Sequence, residues 1–243
     1  FATTVIDYTP APGQFINFSD FNDVSRALGP PSGGGIGSAD NSSLVSLGGF
    51  GGSITLGFDH TVINDPRNPD GLDFIVFGNA FFNGMDPQIR FAECGHVEIS
   101  LDANANGQAD DPWYLIPGSH ITGAAQWETR TWQRTQSFPG NVKYPDETNY
   151  PGWPDSYTTD AYRLPSVFEA TLISNPDPLN EFTWGYADHT ATLILGDMNG
   201  NDMTTDPQDD PLIVPEEFYT VPDDPYTVGI TPGSGGGDAF DID

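Results

Sequence analysis

Ser53-Ile54-Thr55-Leu56-Gly57-Phe58 is the stretch that decides the fold class. Successive side chains of an extended strand point to opposite faces, so Ile54, Leu56 and Phe58 share one face and Ser53, Thr55 and Gly57 the other. The same alternation returns in Val97-Glu98-Ile99-Ser100-Leu101, where Val97, Ile99 and Leu101 share a face, and over residues 3–8. Asp73-Phe74-Ile75-Val76-Phe77 is apolar on both faces and reads as a central strand. Strands are further expected at 113–116, 167–173, 191–195 and 226–230, each bounded by Gly, Pro, Asn or Asp. Only residues 20–28 suggest a short helix, capped by Ser19 or Asp20.

Composition agrees with strands. Gly and Pro, 28 and 22 of 243 residues, break helix interiors and exclude a helical bundle. Short strands with long polar loops predict an all-β, jelly-roll-like β-sandwich, one domain over 1–243. The Gly-rich runs at 29–52 and 231–237 abut strand-like segments and read as ordered loops. Residues 117–165 form a long aromatic-rich insertion that also carries Arg130, Arg134, Lys143 and Arg163, four of the seven basic residues. Its readings are a packed satellite core, a protein interface, or a sugar-stacking platform built on Trp127, Trp132 and Trp153.

The charge is strongly one-sided: 35 acidic against 7 basic residues, net −28. Such a chain repels nucleic-acid phosphates and anionic lipid, so neither is an expected partner. Of the acids, 27 are Asp and 8 Glu. That bias favours turns and calcium loops over general halophilic solvation, because a short carboxylate reaches back to its own backbone. The single cysteine, Cys94, excludes an intrachain disulfide and reads as a small core hydrophobe. No apolar run approaches the length of a membrane span. The opening Phe1-Ala2-Thr3-Thr4 has the look of a processed, exported start.

The sharpest motif is Asp102-Ala103-Asn104-Ala105-Asn106-Gly107-Gln108-Ala109-Asp110-Asp111. It fits the first half of an EF-hand-type loop, D-x-[DN]-x-[DN]-G. Oxygens at alternate positions of a curling backbone point inward at one hard cation; Gly107 permits the sharp turn, and the carbonyl of Gln108 and the side chain of Asp110 follow at positions seven and nine. Position twelve is Trp113 instead of the bidentate Glu, and no flanking helices are expected. The reading is a Ca²⁺ loop between strands, finished by Asp111 or a remote residue; the plain alternative is an Asx-rich hairpin turn. A second candidate is Asp197, Asn199 and Asn201, continuing to Asp206, with Asp202 where a Gly would ease the turn. Dispersed oxygen ligands come third, Asp70, Asp73, Asn79, Glu93, Asp238 and Asp241; Asp73 opens an apolar strand, where a carboxylate must be paired, capped or metal-bound.

Enzyme signatures are missing: the sequence has no G-x-S-x-G, H-E-x-x-H, P-loop or C-x-x-C pattern, and its four histidines show no ligand spacing. The chain is expected not to be an enzyme.

Five blocks, at 5–17, 46–59, 71–82 (GLDFIVFGNAFF), 97–119 (VEISLDANANGQADDPWYLIPGS) and 236–243 (GGDAFDID), together resemble a family of secreted bacterial cell-surface proteins. The resemblance implies an exported β-sandwich with calcium loops and no catalytic role. It supports Asp102, Asn104, Asn106 and Asp110 as ligands and singles out Asp73 and Asp241. In that family the last block runs on into a further strand, whereas this chain stops at Asp243. The expectation is an open sheet edge that a neighbour's residues 1–8 fill by strand addition, giving a homopolymeric fibre, tube or layer. The function expected is therefore an extracellular calcium-binding structural or adhesive protein; the competing class is a module binding a cell-surface glycan.

Overall fold

The alternating stretch forms a strand, β2 (Ser53–Phe58), paired antiparallel with β1 (Ala2–Thr9). The computed structural model of the chain describes residues 1–11, 16, 18–29, 37–38, 41–48, 50–67, 73–82, 84, 89–91, 95–116, 126–133, 156–163, 170–171 and 237–242. β1 runs out of step with β2 twice, leaving Thr3 and Ile6 as extra residues. Each such bulge bends the strand and raises its twist. The ribbon is tied to the segment beside it: the Tyr8 hydroxyl donates to the Ser46 carbonyl at 2.6 Å, and the Ala11 amide to Leu47 at 3.0 Å. Ile16 and Pro10 are fully buried next to this seam.

The helix expected over 20–28 is a single 3₁₀ turn, Val24–Ala27. Its cap is Asp23 rather than Ser19 or Asp20; the carboxylate accepts from the Ser25 amide at 3.1 Å and hydroxyl at 2.6 Å. Gly29, at φ +81°, and Pro30 end it.

Further along lie β3 (Phe74–Val76), β4 (Phe81–Phe82), β5 (Ile89–Phe91), β6 (Glu98–Ser100) and β7 (Trp113–Leu115). They are followed by β8 (Gln126–Gln133), β9 (Ser156–Arg163), β10 (Ala170–Thr171) and β11 (Asp238–Phe240). All pairings are antiparallel: β3 with β11, β5 between β4 and β10, β6 with β7, and β8 with β9. The described regular structure is thus antiparallel strand plus one 3₁₀ turn, in sheets of two or three strands. The strands expected at 191–195 and 226–230 lie outside the described residues. No helix among the described residues is long and apolar enough to cross a membrane.

The DFIVF stretch, expected as a central strand, forms β3. β3 is half-buried throughout, and β11 is its one partner among the described residues. Phe74 stacks on Phe240 with ring centroids 5.1 Å apart, and Phe240 is 2% exposed. Gly237, at φ +86°, allows this approach: a Cβ there would lie 2.7 Å from Ile75 Cγ2.

The 117–165 insertion contains the longest hairpin arms. β8 and β9 pair in unbroken register from Gln126 opposite Arg163 to Gln133 opposite Ser156. Thr159 and Ala161 are buried on the face they share with Glu128 and Arg130. That face rests on the Phe50–Gly51 turn. The Arg130 guanidinium lies 4.4 Å from the Phe50 ring centroid and pairs with Glu128 at 2.9 Å, while Thr159 donates to the Phe50 carbonyl at 3.4 Å. Gly51 sits at φ +83°, and a methyl group there would overlap the Thr159 side chain, so this contact needs glycine for both reasons.

Candidate functional site

The hairpin of β6 and β7 positions the 102–111 loop, with Ser100 opposite Trp113 as its last pair. The loop is exposed, and its polar side chains bind one another and their own backbone. Asp102 clasps the curl: Oδ1 accepts from the Asn106 amide at 3.0 Å and Oδ2 from the Gly107 amide at 2.8 Å. Asn104 Oδ1 accepts from the Asn106 amide at 3.0 Å, and Asn106 Oδ1 from the Gln108 amide at 2.8 Å. These are the short side-chain-to-backbone bonds that Asp and Asn favour over regular structure. Ala105 at φ +56° and Gly107 at φ +72° supply the left-handed steps. For Ala105 that conformation costs about 1–2 kcal/mol.

Asp110 closes the ring. It accepts from Asn104 Nδ2 at 3.3 Å and from Asn106 Nδ2 at 3.0 Å, and Asp111 Oδ2 accepts from the Ala103 amide at 3.1 Å. Asp102, Asn104, Asn106 and Asp110, four side chains named by the sequence motif, therefore share one network, and Asp111 borders it on the Ala103 backbone. Gln108 enters it through its backbone. The donor set is hard oxygen, which suits Ca²⁺. Each asparagine Oδ1 holds one N–H and keeps a second lone pair for a cation. The acids are not drawn onto one point: among the described residues, no three His, Cys, Asp or Glu side chains gather closely enough to hold an ion.

Asp73 does something different. Its Oδ1 accepts from the Asp65 amide at 3.0 Å and its Oδ2 from the Ile242 amide at 3.2 Å. Its own amide donates to the Phe240 carbonyl at 2.7 Å. The carboxylate caps two backbone amides, and the bond to Ile242 joins segments 169 residues apart. Asp65 is fixed in turn by Arg67, whose Nη2 lies 2.6 Å from Oδ2; those bonds hold the Asp65 carboxyl below its usual range. The sequence reading missed Asp65, Arg67 and Ile242 as partners; for Ile242 no local signal marks a bond across 169 residues. Asp241 is exposed at the end of the same clasp.

Asp197, Asn199, Asn201 and Asp206 lie outside the described residues, as does Trp153. Trp127 is 53% exposed on β8. Trp132 is on the same strand, in register with Tyr157. The apolar face of the loop hairpin is partly covered. Ile116 is buried, but Leu101 is 60% exposed and Tyr114 64%, so the face emerges from cover toward the loop. His96 is half-buried, 3.6 Å from Glu98; burial pushes its pKa below the ordinary histidine value, against the pull of Glu98.

No protein-family model and no curated protein matches the chain.

Proposed function

We propose that this chain is an extracellular calcium-binding surface protein, structural or adhesive, built as a jelly-roll-like sandwich. The observation that carries the reading is the clasp of Asp102 on the amides of Asn106 and Gly107, in a curl where Asp102, Asn104, Asn106 and Asp110 share one network. In this reading the loop binds Ca²⁺ through Asp102, Asn104, Asn106, the Gln108 carbonyl and Asp110, with Asp111 completing the shell. The cation takes over the role of the asparagine amides as partner of Asp110. The resemblance of five sequence blocks to secreted bacterial surface proteins supports an exterior location, and the −28 charge supports a need for counter-cations. Extracellular calcium modules bind at roughly 10⁻⁴–10⁻³ M, so ambient calcium would set how firmly the loops are held.

The test is calorimetric titration with Ca²⁺ together with thermal scans in calcium and in EGTA. The expected result is saturable binding, a melting temperature several degrees higher with calcium, and loss of both in Asp102→Ala. Identical scans with and without chelator would remove the reading.

Self-assembly by strand addition belongs to the same proposal. β1 already pairs with β2 inside the chain, so a neighbour would meet its other edge, where Thr3 and Ile6 interrupt the step. Electron micrographs with and without chelator test it: calcium-dependent filaments or layers support assembly, and particles of single-chain size in both conditions refute it. The exposed indole of Trp127 favours a second reading, glycan binding. A glycan array with Trp127→Ala as control separates the two.

A further inference from the structure

The loop also holds a bond with its own reactivity. Asn106 is followed by Gly107, and a glycine on that side leaves the path between its backbone nitrogen and the asparagine Cγ unobstructed. In such a pair the glycine nitrogen can add to the side-chain amide carbon. The Cγ–Nδ2 bond breaks, ammonia leaves carrying the glycine N–H proton, and a succinimide ring remains. Water then opens the ring at either carbonyl, giving Asp or isoaspartate. The step needs only water and no oxidant, reductant or cofactor.

Every atom that must move is tied down here. The attacking nitrogen, Gly107 N, donates to Asp102 Oδ2 at 2.8 Å. The amide it would attack is held at both ends: Asn106 Oδ1 accepts from the Gln108 amide at 2.8 Å, and Nδ2 donates to Asp110 Oδ2 at 3.0 Å and Oδ1 at 3.3 Å. The Asn106 backbone amide is also bonded to Asp102 Oδ1, at 3.0 Å. Ring closure rotates the Asn106 side chain and backbone and breaks this set together. We infer that Asn106-Gly107 is a guarded site of spontaneous succinimide modification, with Asp102 as the positioning residue that holds it closed.

The reaction is one-way for the loop. A carboxylate at position 106 replaces the amide that donated to Asp110 with a like charge at hydrogen-bonding distance, which destabilises the closed curl. Once the loop has opened and reacted, it does not regain its original network. This inference concerns the metal-free loop and does not depend on calcium binding.

The test is peptide mapping by mass spectrometry, with isoaspartate detection, on chain incubated in EDTA so that calcium plays no part. The wild-type chain, Asp102→Ala, and wild type in concentrated urea are followed in parallel, and Asn199-Gly200 in the same chain serves as an internal clock. The expected result is slow conversion at Asn106 in the native chain, a rate about tenfold higher in Asp102→Ala, and the highest rate in urea. In Asp102→Ala the gain should be confined to Asn106, with the Asn199 clock unchanged. If the variant shows no cooperative melting transition, it has failed to fold, and the native-against-urea comparison decides. Native conversion at Asn106 as fast as in urea overturns the inference, as does a folded Asp102→Ala with an unchanged rate.

Discussion

Asp102 and Asp73 each use two carboxylate oxygens to hold two backbone N–H groups, yet they build opposite kinds of structure. Asp102 holds amides four and five residues ahead, in an exposed loop. Asp73 holds amides eight residues behind and 169 ahead, beside the stacked pair of Phe74 and Phe240. The chemistry is the same and the reach differs. A short-range clasp shapes one turn and leaves the rest of the chain indifferent. A long-range clasp fixes where two distant segments meet, so its loss reaches into the strand pair it supports.

Four measurements test that contrast. Phe240→Ala should cost the most, about 3–5 kcal/mol, since it removes a buried ring and its stacking partner's cover. A denaturant midpoint that falls with unchanged slope would show it. Asp73→Ala comes next, about 2–3 kcal/mol, because it leaves two part-buried amides without their acceptor. Equal losses in calcium and in EGTA would mark Asp73 as a clasp; a loss seen only in calcium would move it to the metal shell and break the comparison. Asp102→Ala without calcium should cost only about 0.5–2 kcal/mol, the scale of an exposed cap. Ala105→Gly should have the smallest effect, a gain under about 1 kcal/mol as the left-handed strain is released and partly offset by chain entropy.

The platform of the loop adds a pH signature. His96 on the β6 hairpin has its pKa depressed by burial, so the unfolded chain binds a proton more readily than the folded one. Its contribution is fully present above the ordinary histidine value of about 6.5 and is lost as the pH falls below it. The wild type should therefore lose stability between about pH 7 and pH 5 more steeply than His96→Gln, by denaturant midpoints. Parallel pH curves would mean that burial of His96 does not bear on stability.

The same contrast explains what the sequence reveals. The β2 and β6 strands were legible because period-two alternation is local, β7 because Trp113–Leu115 lies in a short apolar run bounded by breakers, and the 102–111 curl because each oxygen reaches only a few residues. The 3₁₀ turn was over-read as a helix from residue 20, since the turn begins only after Asp23, which caps it on the Ser25 amide. The β8–β9 hairpin was hidden inside what reads as an aromatic insertion, because Gln126–Gln133 is polar on both faces and its anchoring contact, Gly51 against Thr159, is a meeting of residues far apart. The strand character of Asp238–Phe240 is equally invisible until Phe74 is placed beside it.

The pairing of β3 with β11 has a consequence for how the protein is made. Val76 faces Asp238, and 161 residues (77 to 237) must be synthesised between the two. At about 5–20 residues per second, the apolar Phe-Ile-Val segment waits on the order of ten to thirty seconds for that partner. During biosynthesis this sticky stretch is exposed to whatever else the cell is producing, so a holding factor that engages it would raise yield far more than one acting on the finished chain.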